Sequence, residues 1–155
     1  MDGGQQGQPG FSARLDDFLC FSIYAAEHAF SRAYKPLLAE IGLTYPQYLA
    51  MTLLWGEDDQ TVGQLSQRLS LESSTLTPLL KRLEADGLLS RHRDTKDERV
   101  VRVKLTPAGD KLRQKAQTIP ACILQATGMS LEELGALREQ ILALTKRLQT
   151  AAGGD

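Results

Sequence analysis

Residues 61–105 read TVGQLSQRLSLESSTLTPLLKRLEADGLLSRHRDTKDERVVRVKL. Thr61 and Gln64 have the T-x-x-Q spacing of a capping box, in which side chain and backbone satisfy each other's orphan groups at a helix start. Leu65 and Leu69, four apart, share a face of the helix that follows. Ser70-Leu71-Glu72 breaks the pattern, and Leu76, Leu79, Leu80 and Leu83 restore it in a second helix, with Gly87 where a left-handed helix end needs it. From Leu88 the period drops to two, since Val101, Val103 and Leu105 alternate with Arg102 and Lys104. Between Arg93 and Val100, Asp94-Thr95-Lys96-Asp97-Glu98-Arg99 is too polar to pack and suits a hairpin tip. Helix, turn, helix, two-stranded ribbon is the order of a winged helix-turn-helix. Its second helix can enter a major groove while the ribbon reaches the neighbouring backbone or minor groove.

Leu71 to Leu89, the wing's Asp97-Glu98-Arg99 and the closing Leu105-Thr106-Pro107-Ala108-Gly109 resemble the MarR family of dimeric bacterial repressors. Leu76-Thr77-Pro78-Leu79-Leu80-Lys81-Arg82 is similar to the branch that senses organic hydroperoxides, the OhrR proteins. The resemblance covers about residues 15–150.

The fold class expected is mainly α with a small β-ribbon, in a single unit over residues 13–155. Residues 43–106 form the winged helix, residues 13–42 and 107–150 supply dimerisation helices, and the Gly- and Gln-rich residues 1–12 make a disordered tail. The formal net charge of −1 gives no sign of nucleic acid, but its distribution does: residues 81–104 carry +3 against −4 for the remainder. No apolar run approaches a membrane span and no secretory leader opens the chain, so a cytoplasmic protein is expected. Its two cysteines, Cys20 and Cys122, would rest reduced there.

The first helix is predicted from about Asp16 to Glu40, with Asp16 and Asp17 beside its positive end. Apolar residues fall on several of its faces, more than a small domain can bury, which reads as a dimer interface. Thr44 and Gln47 form another capping box, and the helix they open carries Tyr48, Leu49, Leu53 and Leu54, with Trp55 as a packing residue, before stopping at Gly56. Glu57-Asp58-Asp59 reads as a solvated acidic turn rather than a metal site. After the ribbon, Thr106 caps a helix with Pro107 in first position, and that helix ends or bends by Pro120. Ser130 and Glu133 start a last helix through Leu134, Leu137, Ile141, Leu144 and Leu148, with residues 151–155 fraying. Its heptad-like spacing suits packing against a partner chain.

For DNA, Ser73, Ser74 and Thr75 open the recognition helix, where hydroxyls reach bases or phosphates; one of the two serines is expected to cap it instead. Thr77 is assigned to a base and Lys81 to phosphate. Pro78 requires the helix to start late or to bend. Asp97 and Arg99 match the family's D-x-R, which implies an arginine in or over a minor groove and an aspartate that orients it. Arg91, Arg93 and Lys96 read as phosphate contacts, and His28 and His92 as ordinary polar residues.

Cys20 alone, in an apolar helix, would read as inert core. Tyr24, Tyr34 and Tyr45, at 4, 14 and 25 residues beyond it, match the OhrR spacing. The resemblance implies that Tyr34 and Tyr45 reach the thiolate from across the dimer and that Tyr24 helps build the pocket. It also implies that Cys122 is the second thiol of a two-cysteine sensor, although a buried structural cysteine is the other reading.

The expected function is therefore a homodimeric repressor, without cofactor or metal, on a pseudo-palindromic double-stranded operator. It would release that operator when an organic hydroperoxide oxidises Cys20. A MarR-type repressor released by a phenolic or other small molecule is the alternative. A thiol peroxidase is disfavoured, because the chain has no C-x-x-C and no strand–helix alternation.

Overall fold

The computed structural model describes residues 14–153. The expected tail at residues 1–12 lies outside the described residues. A 3-10 turn, Leu15–Asp17, is followed by α1 (Leu19–Ala39), α2 (Tyr45–Gly56), β1 (Gln60–Thr61), α3 (Val62–Leu69), α4 (Ser73–Ala85), β2 (Leu89–Arg93), β3 (Val101–Leu105), α5 (Pro107–Ala116), α6 (Ile119–Thr127) and α7 (Leu131–Ala151).

Short-range polar contacts set most of these boundaries. The Thr44–Gln47, Thr61–Gln64 and Ser130–Glu133 capping boxes all close, each giving a partner to a donor the helix would otherwise leave bare. Thr106 Oγ1 accepts from the Gly109 amide at 3.0 Å, with Pro107 behind it. Gly87 has φ +75°, as a left-handed helix end requires. Pro120 sits in the first turn of α6, after a break from α5.

Three expectations need correction. Helix α1 starts at Leu19 rather than Asp16, because Phe18 is extended (φ −90°, ψ 122°) and confines Asp16 and Asp17 to the preceding turn. The ribbon has a third strand, in the order β1-β3-β2: Gln60 pairs with Val103 and Thr61 with Arg102, both antiparallel. Gln60 is buried yet satisfied, its amide nitrogen donating to the Leu53 and Glu57 carbonyls at 3.1 and 2.6 Å. Nor is Glu57-Asp58-Asp59 merely a solvated turn. Asp58 Oδ1 accepts from the Leu105 amide at 2.8 Å, and Asp59 takes a left-handed φ of 57° to face Arg102.

The core is centred on the winged helix and takes in Leu38 of α1, Ala116 of α5 and Ile119 and Ile123 of α6. Leu38, Met51, Leu54, Leu65, Leu76, Leu80, Leu83, Leu89 and Val103 are fully enclosed, each burial stabilising by roughly 1.5–3 kcal/mol. Trp55 packs beside Tyr48 and donates from Nε1 to the Gly109 carbonyl at 2.9 Å. The long terminal helices are different. In α1 only Leu38 is buried, and no residue of α7 is. Leu19, Ile23 and Phe30 on one and Leu137, Ile141 and Leu148 on the other stay exposed, more apolar surface than a lone soluble chain normally presents. Among the described residues no helix is long and apolar enough to cross a membrane.

Candidate nucleic-acid interface and thiol site

Helix α4 begins at Ser73 with Glu72 in the capping position, and no side chain caps it. The expectation that Ser73 or Ser74 serves as cap is therefore wrong: both lie inside the first turn, past the position from which a cap hydroxyl can fold back. Ser73, Ser74, Thr75 and Lys81 are exposed along one end and side of α4, and Thr77 is half-buried. The helix continues through Pro78. Between its start and the wing lies a cleft of about 420 Å³ lined by Thr61, Ser73, Thr77, Leu80, Arg91 and Arg99, among others.

The wing arginines have different attachments. Arg91, its side chain 24% exposed, donates from its amide and guanidinium to both oxygens of Glu84 at 2.9–3.3 Å. Those bonds, the amide's foremost, hold the Glu84 carboxyl below the usual range. Arg91 thus clamps β2 to the recognition helix, a commitment its expected role as a phosphate contact did not include. Arg93 Nη1 donates to the Glu98 carbonyl at 2.7 Å across the hairpin. Lys96 is exposed, and its amide donates to Asp94 Oδ1 at 2.7 Å. Arg99 projects into solvent: its side chain is 91% exposed, with Nε and Nη2 resting on the Asp97 carboxylate at 3.1 and 3.3 Å.

At the wing's base are residues that sequence reasoning missed. Arg102 bonds Asp59 and Asp94 together, and His92 stands 3.9 Å from Asp59. Periodicity marks Arg102 only as the solvent-facing member of an alternating strand, and its partner Asp59 is 43 residues away.

The second group of candidates is at α1, α2 and α6. Cys20 is exposed in the first turn of α1. Tyr34 packs against Tyr45 with ring centroids 4.7 Å apart, and against Tyr48, not singled out from sequence, at 5.7 Å. Burial first, then Tyr45 and Tyr48, pushes the Tyr34 phenol up to about 12. Burial, with Glu27 next, raises Tyr45 as well. Both are protonated at neutral pH and available as hydrogen-bond donors. Tyr24 is apart from them, its ring edge-on to His28 at 4.3 Å.

Tyr34 follows Cys20 by fourteen residues on the same helix, about 21 Å at 1.5 Å per residue, so the phenols and the thiol do not meet within one chain. Cys122 is exposed on α6, which removes the reading of it as a cysteine buried within the chain. Where α1 passes α6, Ala26, Ala29, Phe30, Ala33 and Ile123 line an apolar cavity of about 210 Å³. No cluster of histidine, cysteine and carboxylate able to hold a metal occurs among the described residues.

The family model described as transcriptional regulator SarA/Rot matches residues 32–119. The chain is 48% identical over 139 residues to the HTH-type transcriptional regulator TtmR of Methylorubrum extorquens, a match spanning 90% of this chain and 71% of that one. It is 43% identical over 135 residues to the organic hydroperoxide resistance transcriptional regulator of Bacillus subtilis, spanning 87% and 92%. Among solved structures, reduced AbfR bound to DNA is 34% identical and superposes with a TM-score of 0.74, over 87% of this chain and 94% of that one.

Proposed function

The chain belongs to the SarA/Rot and MarR-type family of winged-helix transcriptional regulators, and from that premise we propose that it is a dimeric repressor switched by oxidation of Cys20. As a member of that family it is a DNA-binding regulator and not an enzyme. In the proposed dimer, α1 and α7 cover each other's exposed apolar faces across a two-fold axis. Ser73, Ser74, Thr75 and Thr77 then face a major groove, with Lys81, Arg91, Arg93 and Lys96 near phosphates and Arg99, oriented by Asp97, at the minor groove. The protein acts in the cytoplasm, where its thiols rest reduced.

The observation that carries the redox reading is the Tyr34–Tyr45 pair, two neutral phenols side by side and too far from their own Cys20 to touch it. A partner's α1, laid antiparallel, would bring the partner's sulfur to them. Two O–H donors favour the thiolate over the thiol. The thiolate attacks one peroxide oxygen: an S–O bond forms, the O–O bond breaks, and an alcohol leaves with the proton. The sulfenic acid then has two fates. Attack by the Cys122 thiol gives a disulfide and water, or further peroxide gives higher acids. The likeness to a regulator of organic hydroperoxide resistance, together with the apolar Phe18 and Phe21 beside Cys20, supports an organic hydroperoxide as oxidant. Release follows if oxidation draws the sulfur from its phenols and moves α1, and with it the spacing of the two recognition helices.

The apolar α1–α6 cavity favours a second reading, release by an aromatic small molecule seated there. Gel retardation with the reduced protein, repeated after cumene hydroperoxide and after dithiothreitol rescue, separates the two. Reversible loss of binding fits the thiol switch, and binding indifferent to peroxide eliminates it.

A further inference from the structure

Arg102 joins the body of the protein to the wing. It sits on β3 opposite His92, its side chain 29% exposed. The guanidinium forks in two directions. Nε donates to Asp59 Oδ1 at 2.9 Å and Nη2 to the Asp59 carbonyl at 2.5 Å, while Nη1 donates to Asp94 Oδ2 at 3.2 Å. Asp94, only 18% exposed, accepts at its other oxygen from the Lys96 and Asp97 amides at 2.7 and 3.3 Å. Asp97 then accepts from the amide, Nε and Nη2 of Arg99. An unbroken series therefore runs from the body at Asp59, through Arg102, Asp94 and Asp97, to the exposed guanidinium of Arg99.

The strand ladder alone cannot place that guanidinium. It ends at the Arg93–Val101 pair, and beyond it the hairpin is closed by the Asp94 amide donating to Val100 O and the Val100 amide donating to Asp97 O. Arg93 Nη1 adds a bond to the Glu98 carbonyl, and the Asp94 carboxylate holds the Lys96 and Asp97 amides, so that Asp97, on which Arg99 rests, is tied back to Arg102 through Asp94. A planar fork holds Asp59 and Asp94 at once, whereas an ammonium on a flexible stem does not fix both in one geometry. With the fork intact the wing arginine meets DNA already ordered. Without it, the ordering is a cost of binding.

We infer that Arg102 is a positioning residue for DNA recognition, acting through Asp94 and Asp97 to set where Arg99 stands. The inference rests on the reading of Arg99 as a DNA contact. Its test is a double-mutant cycle on the full-length reduced protein, using a duplex selected by the wild-type protein from a randomised pool. Arg99→Ala should weaken binding about tenfold, within the range for loss of a base-contacting arginine. Arg102→Gln should weaken it severalfold alone but less than twofold in the Arg99→Ala background. Arg102→Lys, which keeps the charge and endangers folding least, should behave as Arg102→Gln does. Thermal unfolding and sedimentation are run on each variant, and the cycle is read on those that fold and assemble like the wild type. Additive losses, or wild-type binding by Arg102→Lys, overturn the positioning role while leaving Arg99 as a contact. An Arg99→Ala protein that binds like wild type overturns the contact itself, and the inference with it.

Discussion

Tyr34→Phe removes one oxygen and leaves the ring, so packing against Tyr45 and Tyr48 at 4.7 and 5.7 Å survives and the dimer and its DNA binding should be unchanged. What disappears is an O–H donor. With its phenol pushed up to about 12, Tyr34 is neutral at pH 7 and gives a full hydrogen bond to any anion it meets. A hydrogen bond to a charged group contributes about 1.5–3 kcal/mol net. At about 1.4 kcal/mol per factor of ten, losing it shifts the balance against the thiolate by about ten- to a hundredfold. A more basic thiolate attacks faster, with a Brønsted slope of about 0.4–0.5, which recovers part of that loss. The net result is oxidation about three- to fifteenfold slower. Two measurements on Cys20 in a Cys122→Ser background decide it: iodoacetamide alkylation against pH, and stopped-flow consumption of cumene hydroperoxide. The variant's alkylation curve should shift to higher pH and reach a plateau at or above the parent's at its alkaline end. A curve displaced downward at every pH would mean altered access, and an unmoved curve would refute contact between this phenol and the sulfur.

Other residues give separate tests. Cys20→Ser should bind operator like the parent and remain bound under hydroperoxide, while Cys122→Ser should still leave DNA but show no linked dimer on a non-reducing gel. Ile141→Glu places a charge on the exposed apolar face of α7 and should yield monomers by sedimentation, with DNA affinity lost alongside. A Cβ at Gly109 would run into the Leu88 carbonyl, so Gly109→Ala should lower stability by about 3 kcal/mol in urea unfolding, the upper end for overpacking. Gly63→Ala, which meets only Thr61 Oγ1 at 3.8 Å, should change it by less than about 1 kcal/mol. Because the Tyr34 phenol is raised from 10.0 to about 12 on folding, the folded chain keeps a proton that the unfolded chain gives up. Stability is therefore undiminished below about pH 10 and falls from there to about pH 12, a decline that urea midpoints should show to be shallower in Tyr34→Phe.

Features decided within a few residues were legible in the sequence. Thr44, Thr61, Thr106 and Ser130 each find their partner three residues on, and Gly87 takes its positive φ from the chain's own sterics. Helix, turn, helix and hairpin followed from such signals and from apolar spacing, because both act over one or two turns. Where a signal was weak, neighbouring backbone decided instead: Phe18 is extended and Glu72 takes the capping position, so α1 starts late and neither serine caps α4. The contacts that organise the wing are of another kind. Asp59 meets Arg102 across 43 residues and Asp58 meets Leu105 across 47. β1 escaped notice because its buried member is a glutamine, whose burial is made possible by carbonyls of a different element rather than by hydrophobicity. Gly109 owes its necessity to the Leu88 carbonyl, a neighbour only once β2 and α5 are in place. Cys20 and Tyr34 share one helix, and its rise of about 1.5 Å per residue keeps them apart within a chain, which their spacing on one predicted helix already implied. Charge pairing and close approach depend on distance in space, and only the packed chain supplies that distance.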